Sequence, residues 1–159
     1  MTAPGEERTL AIAIVEDGDD IRHGLQALIS GTAGFRCVGA WGSMEEALPG
    51  IARALPDVAL LDIGLPGMSG IDGIGLLRER HPGLAMLVLT VYHDDERIFD
   101  ALCAGACGYL LKKTPPARLL EGLKEAASGG APMSPEVARR VVRLFREFSP
   151  PPRAEWNLT

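Results

Sequence analysis

The stretch that most constrains the fold is Val58-Ala59-Leu60-Leu61-Asp62-Ile63-Gly64-Leu65-Pro66-Gly67. Apolar residues fill consecutive positions from Val58 to Leu61, the pattern of a short strand buried on both faces. The run delivers one aspartate, Asp62, and turns at once through glycine and proline. In an open α/β sheet the C-terminal strand edge is where ligands bind. A carboxylate placed there is either a turn residue or a reagent, and the other strand ends decide between the two.

The same grammar recurs along the chain. Leu10 to Val15 is an apolar run ending in Glu16-Asp17, and Asp19-Asp20 then opens a helical pattern with Ile21, Leu25, Leu28 and Ile29 on one face. Gly31 and Gly34 stop that helix, and Phe35 to Trp41 is the next strand candidate. Ser43 with Glu46 fits a capping box for a helix reaching about Leu55, weakened by Pro49-Gly50 and broken by Pro56. Ser69 caps a helix through Arg80, whose Gly70, Gly73 and Gly75 each cost about 1 kcal/mol against alanine, so packing must hold it. Leu84 to Leu89 is a further apolar run, ending in Thr90, and Tyr92-His93-Asp94-Asp95 starts a helix with Ile98, Ala101 and Leu102 inward. Gly105 closes that helix, and Cys107 to Leu111 is a strand ending at Lys112-Lys113. Thr114 reads as an N-cap with Pro115 at the first helical position, and Gly129-Gly130 ends this last helix of the repeat. Five apolar strands thus alternate with five helices. That order forces parallel pairing with helical crossovers, and predicts one doubly wound α/β domain over residues 8–130.

Composition narrows the function classes. A net charge of −5, from 16 basic and 21 acidic residues, argues against binding nucleic acid by bulk electrostatics. No apolar run approaches the about 20 residues of a membrane span. Met1 to Arg8 is short, polar and acidic, unlike a signal peptide, so a cytoplasmic location is expected. Cys103 and Cys107 stand four apart, but no further ligand lies near them, so Cys37, Cys103 and Cys107 read as reduced thiols.

Parallel strands deliver their ends to one edge: Glu16 and Asp17, Asp62, Thr90 and Lys112. Three crowded carboxylates repel one another, and oxygen ligands at an open edge suit Mg²⁺, which keeps waters and coordinates phosphate readily. A lysine offers a point charge to a phosphoryl oxygen, a threonine hydroxyl can bond another, and an aspartate can act as nucleophile to give an acyl phosphate. Each residue alone has a plainer explanation: helix cap, turn aspartate, β-former, solvated lysine. Their joint placement on successive strand ends favours the chemical one.

These motifs resemble the receiver domain of two-component response regulators. Ile14-Val15-Glu16-Asp17, the run from Leu60 to Gly70, Val88-Leu89-Thr90 and Ala104-Gly105-Ala106-Cys107-Gly108-Tyr109-Leu110-Leu111-Lys112 carry the resemblance, over roughly Leu10 to Gly130. The Gly-Tyr-Leu-Leu-Lys stretch and Met133-Ser134-Pro135-Glu136-Val137 are similar to the NarL/FixJ subfamily, whose receiver precedes a LuxR-type helix-turn-helix domain. The resemblance implies a flavodoxin-like (βα)5 fold with strand order 2-1-3-4-5. It implies Asp62 as phosphoacceptor, Asp17 and Asp62 as direct Mg²⁺ ligands with Glu16 acting through water, and the Gly64 carbonyl as a further ligand. Lys112 would contact the phosphoryl group, with Thr90 as switch hydroxyl and Tyr109 as switch aromatic. The implied partner is a sensor histidine kinase, and the implied output a homodimer on activation with DNA contacted only through a further C-terminal domain. Such a chain is not an enzyme beyond catalysing its own phosphorylation and dephosphorylation. Three positions depart from the commonest pattern: Gly64 offers no side chain two residues after Asp62, Tyr92 stands two after Thr90, and Lys113 rather than proline follows Lys112.

Beyond the repeat, Ser134 caps and Pro135 starts a sixth helix within a linker segment over residues 131–148. Val137, Val141, Leu144, Phe145 and Phe148 share one face, with Arg139, Arg140, Arg143 and Arg146 largely on the other. That apolar face is expected to seek cover on its own domain or on a second copy. Residues 149–159 begin with a proline run typical of an extended linker, and are expected to lead into the DNA-binding domain. Three rivals remain. A stand-alone receiver would signal by protein contact alone. An aspartate-nucleophile phosphatase needs a second acid two residues after the nucleophile, where Gly64 stands. An FMN binder needs a phosphate-cradling loop where Glu16-Asp17 stand.

Overall fold

The computed structural model describes residues 9–147. Five strands, β1 (Leu10–Val15), β2 (Phe35–Trp41), β3 (Val58–Leu61), β4 (Ala85–Thr90) and β5 (Gly108–Leu111), form one parallel sheet in the order β2-β1-β3-β4-β5. The helices are α1 (Asp19–Ser30), α2 (Met44–Arg53), α3 (Gly70–Arg80), α4 (Asp95–Ala104), α5 (Pro116–Ala127) and α6 (Pro135–Glu147). This is the doubly wound α/β domain that the strand rhythm predicts, in the strand order that the motif resemblance implies, with the sixth helix appended.

Strand alternation sorts the core into two layers. Ile12, Ile14, Leu60, Leu87 and Leu110 face α1 and α5 through Ile29, Leu119 and Leu123. Ala13, Val15, Leu61, Val88 and Tyr109 face α2, α3 and α4 through Met44, Ile51, Ile74, Leu77 and Ile98. Each fully buried aliphatic side chain contributes about 1.5–3 kcal/mol. The Gly-rich α3 is held as its sequence requires. A side chain at Gly70 would strike the backbone of Asp62 and Ile63, and one at Gly73 would strike Met44. Gly39 and Gly50 together make room for the Trp41 ring, which explains a helix that tolerates Pro49-Gly50.

Several boundaries move, each for a local reason. Helix α2 ends at Arg53 rather than near Leu55, which is 57% exposed. Strand β5 begins at Gly108, and α4 begins at Asp95 because the Asp94 carboxylate accepts the Arg97 N–H and caps it. Thr114 is not the N-cap of α5. Its hydroxyl donates to the Leu111 carbonyl at 2.6 Å, and Pro115 becomes the cap residue, its carbonyl accepting the Leu119 N–H. Ile21, expected inward, is 44% exposed. The peptide bonds of the described residues are all trans, Lys112–Lys113 among them.

The sixth helix docks on its own domain. The chain before it runs beside β5: the Tyr109 N–H donates to the Pro132 carbonyl, the Ser134 N–H to the Tyr109 carbonyl, and the Leu111 N–H to Ser134 Oγ at 3.0 Å. Val137 is fully buried, and Arg140 pairs with Asp95 of α4 at 3.1 Å. Phe148 and the proline run of residues 149–159 lie outside the described residues.

Candidate functional site

Sheet register assembles the site. Val15 pairs with Leu61, so Glu16 and Asp62, each one residue further on, emerge side by side. Leu61 pairs with Val88 and Thr90 with Leu111, which brings Thr90 and Lys112 to the same edge. Ligand oxygens of Glu16, Asp17 and Asp62 all lie within 4.8 Å of one another. Glu16 and Asp62 are buried, whereas Asp17 faces solvent.

Lys112 bridges the two buried carboxylates, with Nζ 2.6 Å from Glu16 Oε1 and 2.7 Å from Asp62 Oδ2. Asp62 Oδ1 accepts the Gly64 N–H at 3.1 Å, and Glu16 Oε2 accepts the Gly18 N–H at 2.9 Å. Burial is the largest influence on both acids and pushes each carboxyl pKa up. For Asp62 the opposing hydrogen bonds from Lys112, Thr90 and Gly64 prevail, and its carboxyl sits below the ordinary aspartate value. For Glu16 burial, reinforced by the neighbouring Asp62 charge, prevails over Lys112 and Gly18, and its carboxyl sits above. Burial works against the Lys112 ammonium, but Asp62 and Glu16 overcome it and raise its pKa. The hydrogen bonds to Asp62 thus favour its anion, whereas burial works against the anion of Glu16.

Thr90 is fully buried, and its Oγ1 accepts the Tyr92 N–H at 3.4 Å. Tyr109 is not part of the acidic cluster. Its ring is fully buried in the α4-facing layer, and its hydroxyl donates to the Tyr92 carbonyl at 2.6 Å. The Tyr92 ring closes over Gly64: a Cβ there would stand 2.6 Å from the ring edge. Arg97 stacks on that ring 4.3 Å from its centroid and is held by Asp94 at 2.9 Å. Gly64 and Tyr92 therefore interlock, the small residue making room for the large one.

Three residues play supporting roles that the sequence does not signal. Arg22 donates from Nη1 to the Glu16 carbonyl at 2.9 Å and from Nη2 to Asp19 at 2.7 Å, fixing the turn that carries the acidic pair. Glu45 of α2 accepts the Met68 N–H at 3.1 Å and steadies the loop after Asp62, where Gly67 adopts a φ of 72°. Ser134 looked like an ordinary helix cap, yet its hydroxyl accepts from the buried strand next to Lys112.

Residues 12–124 match the profile of the response regulator receiver domain. The chain belongs to that family. Among curated relatives, this receiver is 34% identical over 135 residues to the DNA-binding transcriptional activator DevR/DosR of Mycobacterium tuberculosis, across 85% of this chain and 62% of that one. It is 31% identical over 148 residues to the transcriptional regulatory protein DegU of Brevibacillus brevis, across 93% and 63%. The receiver therefore spans less than two thirds of those two regulators. Among solved structures, a LuxR-family two-component response regulator from Aurantimonas superposes with a TM-score of 0.80 at 28% identity, covering 86% of this chain and 97% of that one. The receiver is homologous to NarL/LuxR-family regulators and is not a conventional enzyme. Its acidic cluster fits a divalent cation: three hard carboxylate oxygens converge at an open edge against a single lysine charge. No helix among the described residues is long and apolar enough to cross a membrane.

Proposed function

We propose that the chain is the phosphoryl-accepting half of a transcriptional regulator, with Asp62 as acceptor. One observation carries this: a carboxylate only 5% exposed yet held anionic, beside two further acids and 2.7 Å from a lysine ammonium. A sensor histidine kinase presents a phosphohistidine. An Asp62 oxygen attacks phosphorus in line, the new O–P bond forms as the P–N bond breaks, and the imidazole, protonated on its other ring nitrogen, takes the electron pair and leaves neutral. Asp17, Asp62 and the Gly64 carbonyl would hold Mg²⁺, with Glu16 acting through water, and the ion would supply neutralisation of the phosphoryl oxygens. Lys112 exchanges its carboxylate contacts for a phosphoryl oxygen, so its charge follows the charge that moves. Gly64 places no acid beside Asp62 that could activate water, which separates this site from aspartate-nucleophile phosphatases.

The switch follows from what surrounds the acceptor. The added phosphoryl charge draws the Thr90 hydroxyl toward it. The Tyr92 N–H loses its bond to Thr90 Oγ1, and the Tyr92 carbonyl, the acceptor for Tyr109, moves with it. Loop, α4 and β5 shift together, biasing a pre-existing equilibrium. Output is homodimerisation in the cytoplasm and control of a C-terminal LuxR-type DNA-binding domain, the last in keeping with the DNA-binding description of the longer DevR/DosR. The test is intact mass after incubation with a small phosphodonor. One phosphoryl adduct, dependent on Mg²⁺, is expected, and an adduct that survives Asp62→Asn would remove the assignment.

A further inference from the structure

Strand β1 ends at Val15, and the acidic pair lies just past the end of its ladder. The sheet still reaches Glu16 once, where its N–H donates to the Trp41 carbonyl of β2 at 2.9 Å. The Glu16 carbonyl, which belongs to the peptide unit that carries Asp17, is held instead from α1, by Arg22 Nη1 at 2.9 Å. The Arg22 backbone N–H donates to the Gly18 carbonyl at 2.8 Å, so one residue ties the backbone on both sides of Asp17. The Arg22 side chain is only 17% exposed. Gly42, just after β2, leaves room for it: a Cβ there would stand 3.3 Å from Nη1. Asp17 itself faces solvent, and Lys112 bonds Glu16 and Asp62 rather than Asp17, so the backbone sets the aim of its carboxylate.

A fixed positive charge beside a cation site works against the cation. Arg22 brings such a charge to the turn that carries a metal ligand, and its counter-charge, Asp19, is largely in solvent and screened. By charge alone Arg22 would weaken the site. We propose that Arg22 is a positioning residue for the divalent cation: it fixes the Glu16 carbonyl, and with it the peptide plane from which Asp17 projects, so that the Asp17 carboxylate converges on Glu16 and Asp62. This rests on the Mg²⁺ site proposed for Asp17, Asp62 and Gly64. A peptide unit is planar, so a bond to its carbonyl also sets the direction of the next Cα. Without the guanidinium, this unit past the ladder's end turns about the bonds on either side, and each cation that binds must order Asp17 first. Aligning a ligand beforehand lowers that cost. Gly42 serves the same end, since a side chain there would press on the guanidinium.

Isothermal titration calorimetry with Mg²⁺ separates position from charge, because the two differ in sign. Position predicts that Arg22→Ala weakens Mg²⁺ binding about tenfold or more, the usual effect of removing a group behind a metal ligand. Arg22→Lys, which keeps the charge and one donor, should fall between Arg22→Ala and the parent. Charge alone predicts tighter binding by Arg22→Ala. Gly42→Ala keeps Arg22 but crowds it, and should weaken binding by a smaller factor; it carries the test if Arg22→Ala does not fold. In an Asp17→Asn background the further loss from Arg22→Ala should shrink below about twofold, because nothing is left to position. Tighter binding by Arg22→Ala, a lowered Tm with unchanged Mg²⁺ affinity, or an undiminished loss in the Asp17→Asn background would overturn the proposal. Mg²⁺ binding that Asp17→Asn abolishes and Arg22→Ala leaves intact would remove this inference alone. Equal binding by the parent and Asp17→Asn would remove the metal site and this inference with it.

Discussion

The Tyr109 hydroxyl donates to the Tyr92 carbonyl at 2.6 Å, tying a fully buried residue of β5 to the loop that roofs the acidic cluster. The bond spans the two layers any switch in this fold must couple: the strand under α4 and α6, and the loop whose Tyr92 ring covers Gly64. Removing it separates packing from coupling. Tyr109→Phe keeps the ring and leaves the Tyr92 carbonyl without its donor, and should cost about 1 kcal/mol in urea unfolding. Hydrogen exchange in residues 91–95 should quicken while the rest of the sheet is unchanged.

The same tyrosine gives a pH signature. Burial raises its phenol pKa well above the ordinary value, helped by the Asp94 and Asp62 charges. A raised folded-state pKa means the stabilisation is fully present below the unfolded pKa of about 10 and is lost as pH rises beyond it. Lys112, also raised, loses its contribution in the same alkaline window. Unfolding free energy should therefore fall steeply above about pH 10, and Tyr109→Phe should flatten that fall by up to about 1.4 kcal/mol per pH unit. Equal slopes in parent and variant would show that the phenol ionises freely in the fold.

Lys112→Ala strands two buried carboxylates, whose side chains are 4% and 6% exposed. Breaking such a cluster by removing its cation should destabilise the metal-free protein by about 3 kcal/mol at neutral pH. Added Mg²⁺ should recover more stability in this variant than in the parent, because the ion then supplies the missing positive charge. Differential scanning calorimetry with and without chelator measures both.

Mg²⁺ itself should raise Tm in the parent, by the equivalent of about 2.7 kcal/mol at one hundred times Kd. Asp17→Asn should abolish most of that rise while leaving metal-free stability nearly unchanged, since Asp17 is exposed and Lys112 bonds only its neighbours. A Tm response to Mg²⁺ that persists in Asp17→Asn would place the ion elsewhere.

Ser134→Ala removes the acceptor of a buried β5 amide and should cost about 1–3 kcal/mol. Limited proteolysis should then cut the segment after Gly130 faster, because that hydroxyl fastens the start of α6 to the sheet.

The strand ends were legible because consecutive apolar residues leave no face for water, so each run had to be a covered strand ending in its polar residue. Glu16, Asp62, Thr90 and Lys112 followed from that rhythm, and register then brought them together. What escaped notice depends on tertiary partners. Thr114 looked like a cap, but a nearby carbonyl claims its hydroxyl, and Ser134 in turn serves a strand amide rather than only its own helix. Ile21 fits the inward face of α1 by periodicity, yet it lies in the first turn on the lining of an open groove with Leu25, Leu28 and Leu119 and is 44% exposed. Arg22 and Glu45 are ordinary surface charges until the turns they brace are in place. The docking of α6 on its own domain was one of two open outcomes, decided by backbone pairing beside β5 that no side-chain pattern announces.

The most direct test of phosphoryl transfer to Asp62 is borohydride reduction of the phosphodonor-treated protein, followed by peptide mass spectrometry. A first hydride attacks the acyl carbon of an acyl phosphate and displaces phosphate to leave an aldehyde, and a second hydride with a proton from water gives the alcohol, marking the acceptor permanently. Conversion of Asp62 to homoserine, with Asp17 and Glu16 unreduced and no conversion without Mg²⁺, is the predicted result. Reduction at another acid, or none despite a phosphoryl adduct in intact mass, would contradict it.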